Sequence, residues 1–304
     1  MPPRPENLRA RLGDASLIGV NTRVHLRDLA RGSVLDDASV LEGANVLLRT
    51  SDQLFAALAL IELDGVAARI VIAPPDLKDE HIASVIERAG IDTLVTDGAA
   101  IDGLHLAKLS LPPKPAARFP VAVHKTEWVM FTSGTTGVPK MVAHSLDGLT
   151  GAIAPTASAE KILWGTFYDI RRYGGLQILL RALIGKATLV LSDAHEPVAD
   201  FLVRLGKEGV THLTGTPSHW RRALMSPAIT EIHPRYVRLS GEIADQAILD
   251  SLKKQFPDAA MGHAYASTEA GVGFEVTDGL EGFPASFINR PGAVEMKIVD
   301  GTLH

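Results

Sequence analysis

The chain has 304 residues, of which 46% are hydrophobic and 21% charged, and its formal net charge is −5. This length is enough for about two domains, and the composition is that of an ordinary globular protein. The acidic balance argues against nucleic acid as a partner, because no basic excess is available to attract a polyanion. Cysteine is absent, which excludes disulfides and cysteine-ligated metal sites and fits a reducing cytoplasm.

The apolar runs are too short for a membrane-spanning helix, which needs roughly 18 residues. The longest run, "LFAALALIEL" from Leu54 to Leu63, predicts a buried helix instead. The first residues, "MPPRPENLRARLGD", contain no apolar stretch and so do not form a secretory signal. They are rich in arginine, as transit peptides are, but Glu6 and Asp14 interrupt them. We therefore expect a cytoplasmic protein without a membrane partner.

Short β-branched runs alternate with helical patterns along most of the chain. The run "ARIVIAP" precedes a segment in which Ile82, Val85, Ile86 and Ala89 share one helical face, and Gly90 ends that helix. Alternation of this kind predicts βαβ units and mostly parallel sheets whose strands are buried on both faces. Further strands are predicted in "DTLVTDG", "EWVMFTS", "KILWGTF", "ATLVLS", "VTHLTG", "YVRLSG" and "AAMGHAYAS". Four prolines in "LPPKPAARFP", residues 111–120, predict a stiff linker between two lobes.

A polar run, "FTSGTTGVPK" from Phe131 to Lys140, interrupts this apolar pattern. It follows a predicted strand and precedes a helix-like segment near Leu146, and open α/β sheets bind ligands where strands end. Glycines let backbone N–H groups approach an anion, and a lysine adds a point charge suited to phosphate. The run could also be a plain surface turn, but its position and Lys140 favour a polyphosphate loop.

The run does not match the phosphate loop of classical NTPases. That motif requires G-x-x-x-x-G-K-[ST], whereas Gly134 and Gly137 are three residues apart here. Pro139 precedes the lysine and Met141 follows it, so no hydroxyl adjoins the lysine to hold Mg²⁺. A kinase-like phosphotransferase is disfavoured for the same reason.

Three segments together resemble the acyl-adenylate-forming superfamily, which contains acyl- and aryl-CoA ligases, peptide-synthetase adenylation domains and luciferase. "TSGTTGVPK" resembles its phosphate loop, and "LSGEIA" (Leu239 to Ala244) resembles the turn that receives adenine. "YASTE" (Tyr265 to Glu269) resembles the family's Y-G-x-T-E motif. The three occur in the family's order, and the resemblance covers roughly residues 45–300.

The resemblance implies that a carboxylic acid reacts with ATP to give an acyl adenylate and pyrophosphate. It implies that Lys140 holds phosphates, Thr268 donates to the α-phosphate, Glu269 ligates Mg²⁺, and Tyr265 stacks on adenine. Glu269 could instead be a surface acid, Tyr265 a core aromatic, and Glu242 a turn residue that acts only through its backbone. The implied catalytic residues are Lys140, Thr268 and Glu269, and the implied ATP-binding residues are Thr132, Ser133, Gly134, Thr135, Thr136, Gly137, Lys140, Gly241, Glu242, Ile243, Ala264, Tyr265, Thr268 and Glu269.

The resemblance also implies an acid pocket, partly from the mid-chain segment "TFYDIRRYGGL", residues 166–176. Amino-acid-activating relatives pair the substrate ammonium with an aspartate there, and Asp169 is the candidate. Arg171 and Arg172 would compete for it. Both could meet a carboxylate or a phosphate, although we interpret them as a solvated helix start. Small residues leave room for a bulky acid, so we expect an aryl or medium-chain acyl acid. The implied pocket residues are Tyr168, Gly174, His263 (equally a core histidine), Ala266 and Gly271.

The sequence departs from the family pattern at Ala266, which replaces the glycine of Y-G-x-T-E, and at Met141 and Leu146. It also ends at "EMKIVDGTLH", without the family's T-G-D segment and small C-terminal domain with its catalytic lysine. We therefore expect the large N-terminal part of a ligase, weakly active alone, that in complete form transfers the acyl group to CoA or a carrier protein. A catalytically impaired nucleotide sensor or partner-dependent subunit is the alternative.

The predicted fold class is α/β, with mostly parallel βαβ-type sheets in two lobes and the start of a small β-subdomain. Residues 1–120 form the first α/β subdomain in this interpretation. Residues 121–280 form the second, which carries the nucleotide-binding loop, and residues 281–304 begin the β-subdomain.

Overall fold

The computed structural model describes residues 7–116, 120–132, 139–153, 161–269, 271–289 and 295–303. The chain divides into two compact units, Met1–Glu196 and Pro197–His304. The boundaries predicted after residues 120 and 280 differ from this division and stay a prediction about subdomains. Across the described ranges, every helix is too short or too polar to cross a membrane.

The first unit mixes strands and helices, as the alternating sequence pattern predicts. Its α-helices are α1 (Gln53–Leu63), α2 (Asp79–Ala89), α3 (Leu146–Thr150) and α4 (Tyr173–Ile184), and short 3-10 helices lie at Leu8–Arg11, Leu26–Ala30 and Ser39–Leu41. Its strands are β1 (Ser16–Ile18), β2 (Arg23–His25), β3 (Gly32–Leu35), β4 (Asn45–Arg49), β5 (Arg69–Ile72), β6 (Thr93–Thr96), β7 (His105–Pro115), β8 (Glu127–Thr132), β9 (Lys140–Ser145), β10 (Leu163–Thr166) and β11 (Thr188–Leu191).

A seven-stranded sheet in this unit has the order β3-β7-β6-β4-β5-β8-β9. The central pairs, from β7 to β8, are parallel, and the edge strands β3 and β9 are antiparallel to their neighbours. The central strands are almost wholly buried, which explains their continuous apolar character. A separate ladder joins β10, β11 and β1 in parallel, with β2 antiparallel to β1.

Helix α1 confirms the predicted buried helix, since nearly all of its residues are buried. Its one buried carboxylate, Glu62, accepts hydrogen bonds from the Ser33 hydroxyl at 2.6 Å and the Val34 amide at 2.8 Å. Desolvation raises the pKa of Glu62, while these hydrogen bonds and nearby Arg9 act in the opposite direction. The polar group is therefore satisfied inside an apolar layer, as buried polar groups generally are.

Helix α2 also follows the sequence prediction. Ile82, Val85 and Ala89 are buried, and Ile86 packs against the same cluster. Gly90 ends the helix with φ of 61°, a left-handed conformation that favours glycine.

The predicted proline-rich linker is wrong over Leu111–Pro115, because these residues belong to β7. They pair with β3, where Gly32 lies opposite Pro115 and Ser33 opposite Lys114. The parallel partner β6 pairs only with residues 105–108 of β7. The prolines therefore lie beyond the part of β7 that pairs with β6. Their missing N–H groups interrupt no hydrogen bond between β7 and β6. Residues 117–119 lie outside the described residues.

The second unit contains a parallel ladder followed by an antiparallel strand. β12, β13 and β14 pair in parallel, and β15 pairs antiparallel to β14 with an irregularity between Tyr265 and Ala266. β16 and β17 form a small antiparallel pair. The α-helices are α5 (Val198–Glu208), α6 (Pro217–Leu224) and α7 (Gln246–Gln255), 3-10 helices lie at Pro227–Glu231 and Ala285–Phe287, and the strands are β12 (His212–Gly215), β13 (Tyr236–Ser240), β14 (Ala260–Ser267), β15 (Gly271–Val276), β16 (Ile298–Val299) and β17 (Thr302–Leu303).

Candidate functional site

The predicted phosphate loop is flanked by two strands that pair antiparallel, β8 before it and β9 after it. Thr132 ends β8 and lies opposite Lys140, the first residue of β9. Met141, the next residue, packs against a hydrophobic cluster of the sheet, which anchors β9 beside the exposed Lys140. Helix α3 begins at Leu146, which confirms the helix predicted near that residue. The loop residues Ser133, Gly134, Thr135, Thr136 and Gly137 lie outside the described residues.

The mid-chain segment is held by Arg171, which the sequence analysis wrongly interpreted as solvated. Its guanidinium is buried and makes a two-pronged ion pair with Asp169, at 2.9 Å from Nε and 2.6 Å from Nη2. Nη1 donates to the carbonyl of Thr50 at 2.5 Å. Arg172, in contrast, is exposed and pairs with Asp76 at 2.5 Å. A buried guanidinium is tolerated because its donors reach a carboxylate and a carbonyl.

Gln53, at the start of α1, adds a second connection to this segment. Its Oε1 accepts from the Ile170 amide at 2.8 Å, and its Nε2 donates to the Ser192 carbonyl at 2.7 Å. The sequence gives little indication of this role for Gln53, because its only signal is an amide at the first position of a strongly apolar helix. The conformation of the segment therefore depends on residues more than a hundred positions away.

Tyr168 and Gly174, two of the predicted acid-pocket residues, lie together. A Cβ built on Gly174 would be 3.7 Å from the Tyr168 ring, an ordinary contact distance. Gly175 differs, because a Cβ there would overlap the backbone carbonyl of Asp169. The first turn of α4 thus packs against the chain just before it, with Gly175 at the point of closest approach.

We predict that Gly175→Ala destabilises the protein by about 1–3 kcal/mol, because the added methyl group has no space. The neighbouring Gly174→Ala is the matched control and should be neutral or stabilising by up to about 1 kcal/mol, since alanine favours helix. Chemical unfolding of both variants measures the difference. Equal effects of the two substitutions would contradict the packing described.

A pocket of about 430 Å³ lies in the second unit, where β13 and β14 end. These strands are parallel, so their carboxyl ends lie at the same edge of the sheet. The Ser240 hydroxyl donates to the Ala264 carbonyl at 2.9 Å and joins the two strand ends. The pocket is lined by Gly241, Glu242, Ile243, Ala244, His263, Ala264, Tyr265, Ala266, Phe274, Gly282 and Phe283.

The structure thus brings together two sets of residues that the sequence analysis had placed in separate roles. The predicted nucleotide residues in the pocket are Gly241, Glu242, Ile243, Ala264 and Tyr265, and the predicted acid residues are His263 and Ala266. Thr268 and Glu269 lie in the turn after β14, and Gly271 begins β15; none of these three lines this pocket.

Tyr265 is not a core aromatic, since 61% of its surface is exposed. Its ring stacks on that of Phe274, the residue opposite it on β15. The ring centroids are 5.6 Å apart, and the angle between the ring planes is 16°. Phe274 in turn contacts the rings of Phe283 at 5.0 Å and Phe287 at 5.7 Å. These phenylalanines are not predictable from the sequence, because a local motif does not reveal cross-strand partners.

Two further features shape the pocket's rim. Gly241 has φ of 87°, which a residue with a side chain rarely adopts, so the turn after β13 is specific for glycine. His263 is half-buried, and its Nε2–H donates to the Leu280 carbonyl at 2.9 Å. His263, expected either in the pocket or in the core, therefore lines the pocket.

Glu242 contributes more than its backbone. Its carboxylate accepts from the Ser218 amide at 2.9 Å and the Ser218 hydroxyl at 2.6 Å, at the start of α6. Desolvation raises the pKa of Glu242, but hydrogen bonds from Ser218 and Thr216 outweigh it, so the pKa lies below the ordinary value. The carboxylate therefore favours the charged form at a helix N-terminus, where negative charge is stabilised.

Glu269 is exposed in its turn. Within the described ranges, no three His, Asp or Glu side chains converge on a possible metal position. A single carboxylate fits Mg²⁺, which usually keeps several waters and takes its other ligands from substrate phosphates. The residues present are thus compatible with a metal that arrives with a nucleotide.

We predict that the stabilisation provided by Glu242 depends on pH. The pKa of its carboxyl is lower in the folded protein than its ordinary value of 4.5, so its contribution is present above that value and lost as pH falls through the folded pKa. Urea unfolding should show Glu242→Gln less stable than the parent at pH 7, with the difference shrinking under acid conditions. A difference that stays constant with pH would contradict this assignment.

Comparison with solved structures shows the fold. The N-terminal subdomain of Klebsiella oxytoca NpsA in complex with anthranilyl-AMSN superposes with a TM-score of 0.71 at 19% identity, covering 97% of this chain and 83% of that chain. A single-substitution variant of Escherichia coli MenE with bound OSB-AMS gives a TM-score of 0.71 at 20% identity, covering 96% and 65%. Such identities establish a shared architecture and no more.

Comparison with characterised sequences gives two kinds of relative. The chain is 26% identical over 245 residues to the D-alanine–D-alanyl carrier protein ligase of Bacillus velezensis, covering 68% of this chain and 46% of that protein. It is 26% identical over 275 residues to the 2-succinylbenzoate–CoA ligase of Salmonella typhimurium, covering 86% and 56%. The chain therefore spans about half the length of these two ligases.

A family model described as "AMP-binding enzyme" matches residues 33–303. This match spans most of the chain and includes the polar run, the turn after β13 and the "YASTE" strand end. The chain therefore belongs to the AMP-binding enzyme family, as its resemblance to the acyl-adenylate-forming superfamily predicts.

Proposed function

We propose that this chain forms the nucleotide- and acid-binding part of a ligase that activates a carboxylic acid with ATP. The observation that carries the proposal is the pocket at the ends of β13 and β14, with the exposed Tyr265 ring beside it. A flat aromatic surface next to a glycine turn suits a purine base, which binds by stacking and by close backbone approach. Membership of the family supports the same ligand.

The chemistry explains why such a site is needed. A carboxylate is a poor electrophile, because oxide would have to leave. In the proposed reaction a carboxylate oxygen attacks the α-phosphorus of ATP, the bond to the pyrophosphate oxygen breaks, and acyl adenylate and pyrophosphate result. Negative charge shifts onto the departing pyrophosphate, so catalysis consists mainly of positioning and charge neutralisation.

The proposal assigns these tasks to residues of this chain. Lys140 neutralises charge on the departing phosphates, and the Thr268 hydroxyl donates to an oxygen of the α-phosphate. Glu269 holds Mg²⁺, which supplies further neutralisation of the polyphosphate. Tyr265 and the Gly241 turn hold the base. Two observations support these assignments: Lys140, Glu269 and Tyr265 are exposed, and each belongs to one of the sequence motifs described above.

We propose a thiol as the acyl acceptor, because the two kinds of relative share that chemistry. One is named a CoA ligase and the other a carrier-protein ligase. A thiolate that displaces AMP from the acyl adenylate gives a thioester in either case. CoA is our first candidate and the thiol of a carrier protein the second.

For the acid, we propose an aryl or medium-chain acyl substrate rather than an amino acid. An amino acid's ammonium group needs a carboxylate with free acceptor positions. Asp169, the candidate in the mid-chain segment, already accepts from the Arg171 amide at 2.8 Å and from its guanidinium through both oxygens. Arg171 thus neutralises Asp169, which favours an acid without an ammonium group.

We predict that ATP with Mg²⁺ raises the melting temperature of the protein through Lys140 and Glu269. Ligand at a hundredfold excess over Kd stabilises the folded state by about 2.7 kcal/mol. Lys140→Ala and Glu269→Gln should reduce this shift, whereas Lys108→Ala, an exposed lysine on β7, is the control and should retain it. An unchanged melting temperature of the parent at millimolar nucleotide would refute the proposed site.

We predict that acyl-sulfamoyl adenosines rank by the acyl group. Isothermal titration should show benzoyl and octanoyl analogues binding at least about tenfold tighter than the alanyl analogue, a difference of about 1.4 kcal/mol. AMP alone serves as the reference, because its affinity measures the contribution of the nucleotide to binding. Tightest binding by the alanyl analogue would overturn the proposed acid class.

A further inference from the structure

A polar cluster lies on the opposite face of the sheet from the stacked Tyr265 and Phe274 rings. Successive residues of a strand point to opposite faces, so Phe274 and Glu275 on β15 point in opposite directions. Glu275 accepts a hydrogen bond from the Tyr236 hydroxyl and lies 3.4 Å from Nε of Arg238 in an ion pair. Both partners belong to β13, so the cluster links β15 to a strand that is not its neighbour.

The strand between them, β14, permits this link because it has a glycine at the crossing point. Gly262 lies opposite Arg238 in the β13–β14 register. A Cβ built on Gly262 would be 2.7 Å from Oε1 of Glu275, too close for any real side chain. The Glu275 carboxylate therefore occupies the space that a side chain at position 262 would fill.

The burial of Arg238 makes its ion pair with Glu275 important for stability. It is only 6% exposed, and within the described part of the chain its Nε and Nη2 make no hydrogen bond. The Arg238 side chain is 7% exposed and that of Glu275 is 33% exposed, so the cation is the buried member of the pair. Removing the carboxylate leaves a buried charge without its counterion, which is unfavourable. The position of Glu275, and with it the course of β15, is thereby restricted.

We propose that Glu275 is a positioning residue for the nucleotide pocket. Its link to Tyr236 and Arg238 fixes β15 on one face, and this holds Phe274 against Tyr265 on the other. Phe274 stacks on Tyr265 and contacts Phe283, so the orientation of the ring that receives the base depends on a carboxylate that never touches the ligand. This inference rests on the proposed function for the role of the pocket. The link from Glu275 to Tyr236 and Arg238 does not depend on that function.

Two variants break the link in different ways. Glu275→Gln keeps the shape and removes the charge, whereas Gly262→Ala keeps every charged group and displaces the carboxylate. Glu231→Gln, an exposed acid in the 3-10 helix Pro227–Glu231, is the matched control. The first measurements use the protein without ligand: hydrogen exchange of residues 271–276 and the near-ultraviolet circular dichroism of the aromatic rings. Both link variants should exchange faster there and show a changed aromatic signal, and the control should match the parent.

The second measurement is the Kd of AMP by titration. We expect Glu275→Gln to bind about tenfold more weakly, within the range of coupling found for residues in one network. In a Phe274→Leu background, adding Glu275→Gln should cause little further loss, because the residue that transmits the effect is gone. An additive loss would overturn the positioning role, since a general loss of stability would act in both backgrounds.

The ligand-free measurements separate the two proposals. If the parent binds no AMP but the link variants still alter exchange and the aromatic signal, the proposed function fails and the link stands. If the parent binds AMP but exchange and the aromatic signal are unchanged in both variants, the link is refuted and the proposed function is unaffected.

Discussion

The parallel pairing of β13 and β14 is the constraint on which the candidate pocket depends. Leu239 lies opposite His263 and Ser240 opposite Ala264, so the two strands end side by side. The chain leaves β13 through a left-handed glycine and leaves β14 through the turn at Thr268 and Glu269. Because parallel strands end at the same edge of a sheet, motifs about 25 residues apart in sequence meet there without any direct sequence signal.

Buried polar groups fix the details that apolar packing leaves open. Glu62 is satisfied inside the apolar helix α1, and Arg171 connects Asp169 to the backbone beside α1. Hydrophobic burial is non-directional, whereas a charged group in the interior has few acceptable partners. Each of these groups therefore selects one local arrangement of the chain.

The pocket combines one open aromatic surface with several rigid supports. Tyr265 exposes much of its ring while Phe274 covers part of it, and Phe283 and Phe287 pack around Phe274. Glu242 holds the neighbouring turn to the start of α6. An aromatic ring that is preorganised in this way loses little freedom when a flat base binds. The arrangement is consistent with a family whose members bind AMP.

The sequence alone determined the α/β class, the buried helix α1, the stop of α2 at Gly90 and the family, because each is written in local periodicity or a short motif. It does not predict contacts between residues that are far apart in the chain. The proline-rich end of β7 is predicted from the sequence as a linker, although Lys114 and Pro115 there pair with β3. Arg171 is expected from the sequence to be solvated, but its side chain is buried and donates hydrogen bonds to the Thr50 carbonyl and the Asp169 carboxylate. The sequence does not reveal the contacts of Phe274 and Glu275, because Phe274 meets Tyr265 across the β14–β15 pair and Glu275 meets two residues of β13. Only the tertiary structure decides these, since burial and cross-strand contact belong to positions in space rather than to neighbours in the chain.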